Sequence, residues 1–150
     1  MQATRQKYRE ANRSELRSKR RRYRETPEGR AVLLIQSARA RAGKKGVPFD
    51  PALRSFVAAA IAGGLCSVTG IPFVLDSTGD SAVKHPLAPS IDRIDSSKGY
   101  TADNVRVVCW AVNAACSTWG LDATLAIFSR ALGISNPTTD AVLARLQETP

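Results

Sequence analysis

The chain opens polar and becomes apolar by degrees. Residues 2–25 contain no Gly or Pro, and Arg, Lys, Glu, Gln and Ala dominate them; Tyr8, Leu16 and Tyr23 are the few bulky apolar positions. Good helix formers with so little to bury predict a basic helix that is marginal alone and orders on a partner. Thr26-Pro27-Glu28 then reads as a helix start, with Thr as N-cap, Pro at the first helical position and an acid in the first turn. Val32, Leu33, Ile35 and Gln36 form its expected buried face, and Gly43 its expected stop. Asp50-Pro51 repeats the start signal; Leu53, Phe56, Val57, Ala60 and Ile61 follow at helical spacing until Gly63-Gly64.

The texture changes at Leu65. Residues 66–70 predict a tight turn, 71–75 a short strand and 76–89 a polar loop. Residues 89–119 then read as strand, polar loop, strand and helix. SIDRID alternates, with Ile91 and Arg93 on one side and Asp92 and Ile94 on the other. Gly99-Tyr100 closes the loop, with Gly99 free to take positive φ. In VRVVCW, Val105, Val107 and Cys109 share a face, and a small-residue helix follows. Trp110 and Trp119 are expected to pack the core rather than stack on bases. Asp122 is the expected N-cap of a helix carrying Leu125, Ile127, Phe128 and Leu132 and ended by Gly133. Thr138-Thr139-Asp140 caps a final short helix with Val142, Leu143 and Leu146 apolar. The fold class expected is α+β, mainly helical. Its segments are a basic helical extension (1–25), a helical leader (26–64), a strand–strand–helix core (65–120) and C-terminal helices (121–150).

Charge sharpens that division. Residues 1–54 hold 16 of the 22 Lys and Arg but five of the 13 acids, while the remaining 96 residues hold six bases and eight acids. An excess of eleven positive charges exceeds what solubility requires and points to a polyanion, nucleic acid being the common one. Lys19, Arg20, Arg21, Arg22 and Arg24 are the densest phosphate-binding candidates; Arg39, Arg41, Lys44 and Lys45 add to them. An anionic membrane surface fits less well, because the basic stretch lacks a bulky apolar face. No apolar run approaches a membrane span, and no apolar region follows the basic N-terminus, so an intracellular protein is expected. Three cysteines, Cys66, Cys109 and Cys116, argue against a disulfide framework.

The chemistry gathers in residues 89–119. Asp92 lies within the apolar part of a strand, where a carboxylate needs a reason. Asp95, before Ser-Ser-Lys-Gly, suits an Asx-type turn. Asn104 at the second strand's entrance is placed to pin the loop. Asn113 sits amid small apolar residues, where an amide costs stability unless partnered. A hard cation accepts oxygen from Asp and Asn alike, and Asp92 with Asn113 leaves most of an octahedron to water and phosphate, as Mg²⁺ prefers.

Asp92-Arg93-Ile94-Asp95, GYTADN ending at Asn104, then Cys109 and Asn113 together resemble the HNH (ββα-metal) endonucleases, most closely a phage-encoded group with an I-D-R-I-D signature. The resemblance spans roughly residues 27–119. It implies hydrolysis of a DNA phosphodiester at a one-metal site, with Mg²⁺ (or Mn²⁺) on Asp92 and Asn113 and with Asn104 ordering the loop. Where the family places a general-base His after the strand Asp, this chain has Arg93, which cannot accept a proton near neutral pH but can clamp a phosphate. His85, the only histidine, and Asp95 are the candidate bases. Many members carry two Cys-x-x-Cys zinc knuckles; here each keeps one Cys, at Cys66 and Cys109, so no structural zinc is expected. The expected function is therefore metal-dependent DNA cleavage. The alternatives are a non-catalytic nucleic-acid-binding protein on a degenerate HNH scaffold and an assembly partner whose basic segment binds protein or RNA.

Overall fold

A computed structural model of the protein describes residues 12–75 and 84–148. The first eleven residues and most of the expected polar loop, residues 76–83, lie outside that description. Among the described residues, six helices and two strands follow in order: α1 (Arg13–Arg24), α2 (Pro27–Lys45), α3 (Leu53–Ala62), β1 (Pro89–Arg93), β2 (Val105–Cys109), α4 (Trp110–Cys116), α5 (Gly120–Ala131) and α6 (Pro137–Glu148). The class is α+β and mainly helical, with one small antiparallel sheet.

α1 buries no residue. Exposed ion pairs, Lys19–Glu15 at 2.7 Å and Arg21–Glu25 at 3.0 Å, span successive turns, and such pairs contribute about 0.3–0.5 kcal/mol each. Thr26 caps α2 as its type predicts, its hydroxyl accepting the Gly29 N–H at 3.1 Å with Pro27 in the first turn.

The interior face of α2 differs from the expectation. Ala31, Ala38 and Ala42 are its fully buried core residues, with Leu34 and Ile35 packed beside them, and Gln36 is exposed. Small side chains let α3 approach, and its Leu53, Val57 and Ile61 fill the space between. α2 also passes through Gly43 and stops at Gly46, which takes φ 65°, the left-handed conformation that a helix end favours in glycine.

β1 and β2 pair antiparallel with Asp92 opposite Arg106 and Ile91 opposite Val107. Ile91, Val105 and Val107 join the α2–α3 core, while α4 follows β2 directly and packs on the sheet. The strand–loop–strand–helix order read from residues 89–119 is therefore present. The expected strand at 71–75 is not: one bridge, Leu65 to Pro72, stands there, held by Cys66 N–H to the Ile71 carbonyl at 3.0 Å. The turn at 66–70 closes as expected, with Gly70 N–H on the Cys66 carbonyl at 2.8 Å.

Beyond the core, α5 starts at Gly120, so Asp122 lies inside its first turn rather than at the cap. Its buried residues are Ala123, Thr124 and Ala126; Leu125, Ile127, Phe128 and Leu132 are exposed. α6 begins earlier than expected, at Pro137. Asn136 Oδ1 accepts the Thr139 N–H at 3.0 Å, and Thr139 Oγ1 accepts the Asn136 N–H at 3.2 Å, a reciprocal cap.

Candidate functional site

Asp92 is 4% exposed, one residue from the end of β1. A buried carboxylate needs a partner, and Arg106, directly across the strand pair, supplies it: Nε and Nη2 both meet Asp92 Oδ2 at 2.8 Å. Among the described residues, Oδ1 carries no donor. Arg106 was missed in the sequence, although alternation and register together place a cation opposite Asp92.

Asp92 and Arg106 open onto a cleft of about 240 Å³, which Arg93, Ile94, Asp95 and Ser96 line on one side and residues 116–120 on the other. The two sides come from separate parts of the chain, the end of β1 and the turn between α4 and α5. In that turn Ser117 has φ 43° and ψ −120°, a conformation that costs a non-glycine residue on the order of 1–3 kcal/mol. Gly120 follows at φ 85°. Trp119, expected in the core, is 71% exposed at the cleft rim. Trp110 is half-buried, with the Lys84 ammonium 4.2 Å from its ring centre.

Asn104 holds the loop between the strands, as its position predicts. Its Oδ1 accepts the Asp95 N–H at 2.9 Å, and its Nδ2 donates to the carbonyls of Asp95 at 3.0 Å and Gly99 at 2.8 Å. Asp95 adopts the Asx turn, accepting the Ser97 hydroxyl at 2.6 Å and the Ser97 N–H at 2.9 Å. The Ser97 hydroxyl and N–H, with a smaller contribution from Lys98, hold the Asp95 carboxyl below its usual range. A carboxylate so stabilised is ionised but a weaker proton acceptor.

Gly99 serves close approach rather than positive φ. A Cβ there would lie 2.3 Å from the Pro48 carbonyl oxygen. That approach lets Tyr100 N–H reach Pro48 O at 2.8 Å and Asp50 N–H reach Tyr100 O at 2.9 Å. The loop is thereby tied to the segment joining α2 and α3.

Tyr100 links the basic front to the site. Its hydroxyl accepts Arg41 Nε at 3.0 Å, and the guanidinium groups of Arg93 and Arg41 lie 5.1 and 5.8 Å from its ring centre. Arg93 also donates from Nη1 to the Lys98 carbonyl at 2.7 Å. Of the other predicted cations, Lys19, Arg20, Arg21, Arg22 and Arg24 on α1 and Arg39, Lys44 and Lys45 on α2 are all exposed, and none of them lines the cleft. Arg13, Arg17, Arg20 and Arg24 recur at helical spacing along one side of α1. Arg13 and Arg17 stand outside the contiguous basic run at 19–24, and only their helical spacing marks them.

Asn113, on α4, donates from Nδ2 to the Ser90 hydroxyl at 2.7 Å and to the Ile91 carbonyl at 2.9 Å. A carbonyl only accepts, so the amide nitrogen must face β1, and Oδ1 has no donor among the described residues. Asn113 does not line the cleft. His85 is exposed and lies outside the cleft lining; its Nδ1 accepts the Leu87 N–H at 3.1 Å.

Cys66 and Cys109 meet in a second buried cluster with Val108, bordered by Val68 and Val112. The Cys109 N–H donates to Cys66 Sγ at 3.3 Å. Burial works to raise the Cys66 thiol, but donors from Thr69, Cys109 and Val68 outweigh it and hold the thiol down at about 7. Burial and the neighbouring Cys66 push Cys109 up to about 11.

Asp92 Oδ1 and Asn113 Oδ1 are both hard oxygen donors of the kind Mg²⁺ takes, but of the two residues only Asp92 lines the cleft. Among the described residues no group of three or more His, Cys, Asp or Glu side chains gathers as a metal cluster. No helix of the described residues is long and apolar enough to cross a membrane. Comparison with known proteins finds no family, curated protein or solved structure that matches this chain.

Proposed function

We propose that the protein is a metal-dependent DNA endonuclease that hydrolyses phosphodiester bonds at a one-metal, HNH-like site. The observation that carries the reading is the buried Asp92 on a strand–loop–strand–helix frame, with one oxygen that has no donor among the described residues and a cationic neighbour at the mouth of an open cleft. Asp92 and Asn113 would hold Mg²⁺, Asn113 from outside the cleft lining, and the ion would supply charge stabilisation at the phosphoryl group. Arg106 and Arg93 orient and neutralise the phosphate, since both line the cleft and a guanidinium matches phosphate oxygens. Of the two candidate bases only Asp95 lines the cleft, so it is the proton acceptor favoured here over His85. The exposed arginines of α1 and the basic end of α2 hold the nucleic-acid backbone without reading sequence.

The test is plasmid nicking by the purified protein with Mg²⁺ or Mn²⁺, beside Asp92→Asn and Asn113→Ala. Asn at position 92 keeps an acceptor for Arg106 and removes the charge. Loss of nicking in both, with DNA binding retained, is expected; nicking that survives both sinks the site.

A second reading rests on three contacts. Arg106 already neutralises Asp92, and Arg93 is occupied by the Lys98 carbonyl and the Tyr100 ring. A protein that only binds nucleic acid fits those contacts. Salt-sensitive DNA binding with no nicking under any divalent metal decides for it.

A further inference from the structure

Trp119 is the most exposed aromatic side chain among the described residues. Burial of an indole is strongly favourable, so a tryptophan left in water calls for an explanation. Its backbone is fixed. The Trp119 main-chain N–H donates to the Cys116 carbonyl at 2.9 Å and the Ser117 main-chain N–H to the Asn113 carbonyl at 3.1 Å. The turn is anchored between α4 and α5, and Ser117 takes left-handed φ within it. Such strain persists where the surrounding structure imposes it, and it concentrates at ligand sites.

The residue also lines the cleft that holds Asp92, Arg93 and Arg106. An exposed aromatic ring beside guanidinium groups is the pairing that single-stranded nucleic acid uses: cations track the phosphates while a base stacks on the ring. A base inside an intact duplex has both faces covered by its neighbours. An unpaired or extruded base offers its whole face to Trp119.

We infer that Trp119 is a base-stacking subsite and that the preferred ligand carries an unpaired nucleotide at the cleft, as in a single strand, a gap or a flap. The inference rests on the proposed reading that this cleft handles nucleic acid. It adds the substrate class and the residue that selects it.

The test is the affinity of the full chain for a labelled single strand, a gapped duplex and a fully paired duplex of the same sequence. Trp119→Ala and Trp119→Phe are compared in a Trp110→Phe background, so that indole emission reports Trp119 alone. The expected result is tighter binding of the single-stranded and gapped ligands, with quenching of Trp119 emission. Trp119→Ala weakens those two by about ten-fold and the paired duplex little, while Trp119→Phe keeps most of the preference. Equal loss on all three ligands, or none, overturns the subsite and leaves the nucleic-acid reading standing. Self-association lost in Trp119→Ala with unchanged oligonucleotide affinity gives the ring to a protein contact and also overturns it. No binding of any ligand by the parent chain overturns both readings.

Discussion

Arg106 closes on Asp92 from the facing strand, two of its nitrogens reaching the same carboxylate oxygen at 2.8 Å with the carboxylate side chain 5% exposed. The pair decides the electrostatics of the cleft, because a buried carboxylate is tolerated only with such a partner.

Arg106→Met therefore leaves Asp92 buried and unpaired, at a cost of about 3–5 kcal/mol. The double variant Asp92→Leu with Arg106→Met costs less than Arg106→Met alone, since both charges leave together. Urea unfolding of the two singles and the double measures the coupling. Additive effects would show that the pair contributes nothing beyond its separate members.

Gly99→Ala destabilises the protein by about 1–3 kcal/mol, because the new methyl group meets the Pro48 backbone at 2.3 Å, where no flexible side chain can give way. Gly43→Ala is the opposite case. It lies inside α2 with open space around it, so the same change stabilises by about 0.5–1 kcal/mol. Thermal unfolding of both variants checks the contrast in sign.

The thiol pair gives a signed pH dependence. The Cys66 thiol is held down at about 7 against an ordinary 9.0, so between those values the unfolded chain keeps a proton that the native state has released, and stability rises with pH. Cys109 is pushed up to about 11, so between 9.0 and that value the unfolded chain loses a proton that the native state keeps, and stability falls. The melting temperature should pass through a maximum between the two limbs. Cys66→Ser flattens the rising limb and Cys109→Ser the falling one. A rising limb that persists in Cys66→Ser assigns it to another group.

DNA affinity should fall steeply with salt, and the slope should report which α1 cations contact phosphate. Arg20, Arg22 and Arg24 show no ion pair among the described residues, whereas Lys19 is engaged by Glu15. Each of Arg20→Gln, Arg22→Gln and Arg24→Gln lowers the slope of log affinity against log salt by about 0.9, and Lys19→Gln lowers it less. Titration of duplex DNA at several salt concentrations measures this, and an unchanged slope in all four removes α1 from the interface.

Local signals carried much of the fold. Thr26-Pro27 and Gly63-Gly64 marked helix ends because caps depend on the residue itself, and the alternation of residues 90–94 and 105–109 marked two strands with the Asn104 turn between them. The errors arose where a neighbour decided. Ala31, Ala38 and Ala42 outrank Val32 and Leu33 in burial because α3 packs on the small side chains. Gly99 is glycine because Pro48 passes beside it, which no local pattern records.

The candidate site divides in the same way. Sequence alone placed Asp92 inside a strand, Asn104 at a loop entrance, Asp95 in an Asx turn and an excess of positive charge ahead of them, because each follows from residue type and near neighbours. Tertiary structure alone decided that Arg106 neutralises Asp92, that Tyr100 gathers Arg41 and Arg93, that His85 stands apart from the cleft and that Trp119 faces water. Those outcomes depend on strand register and on packing between segments far apart in the chain, and electrostatic partnership follows distance in space rather than along the sequence.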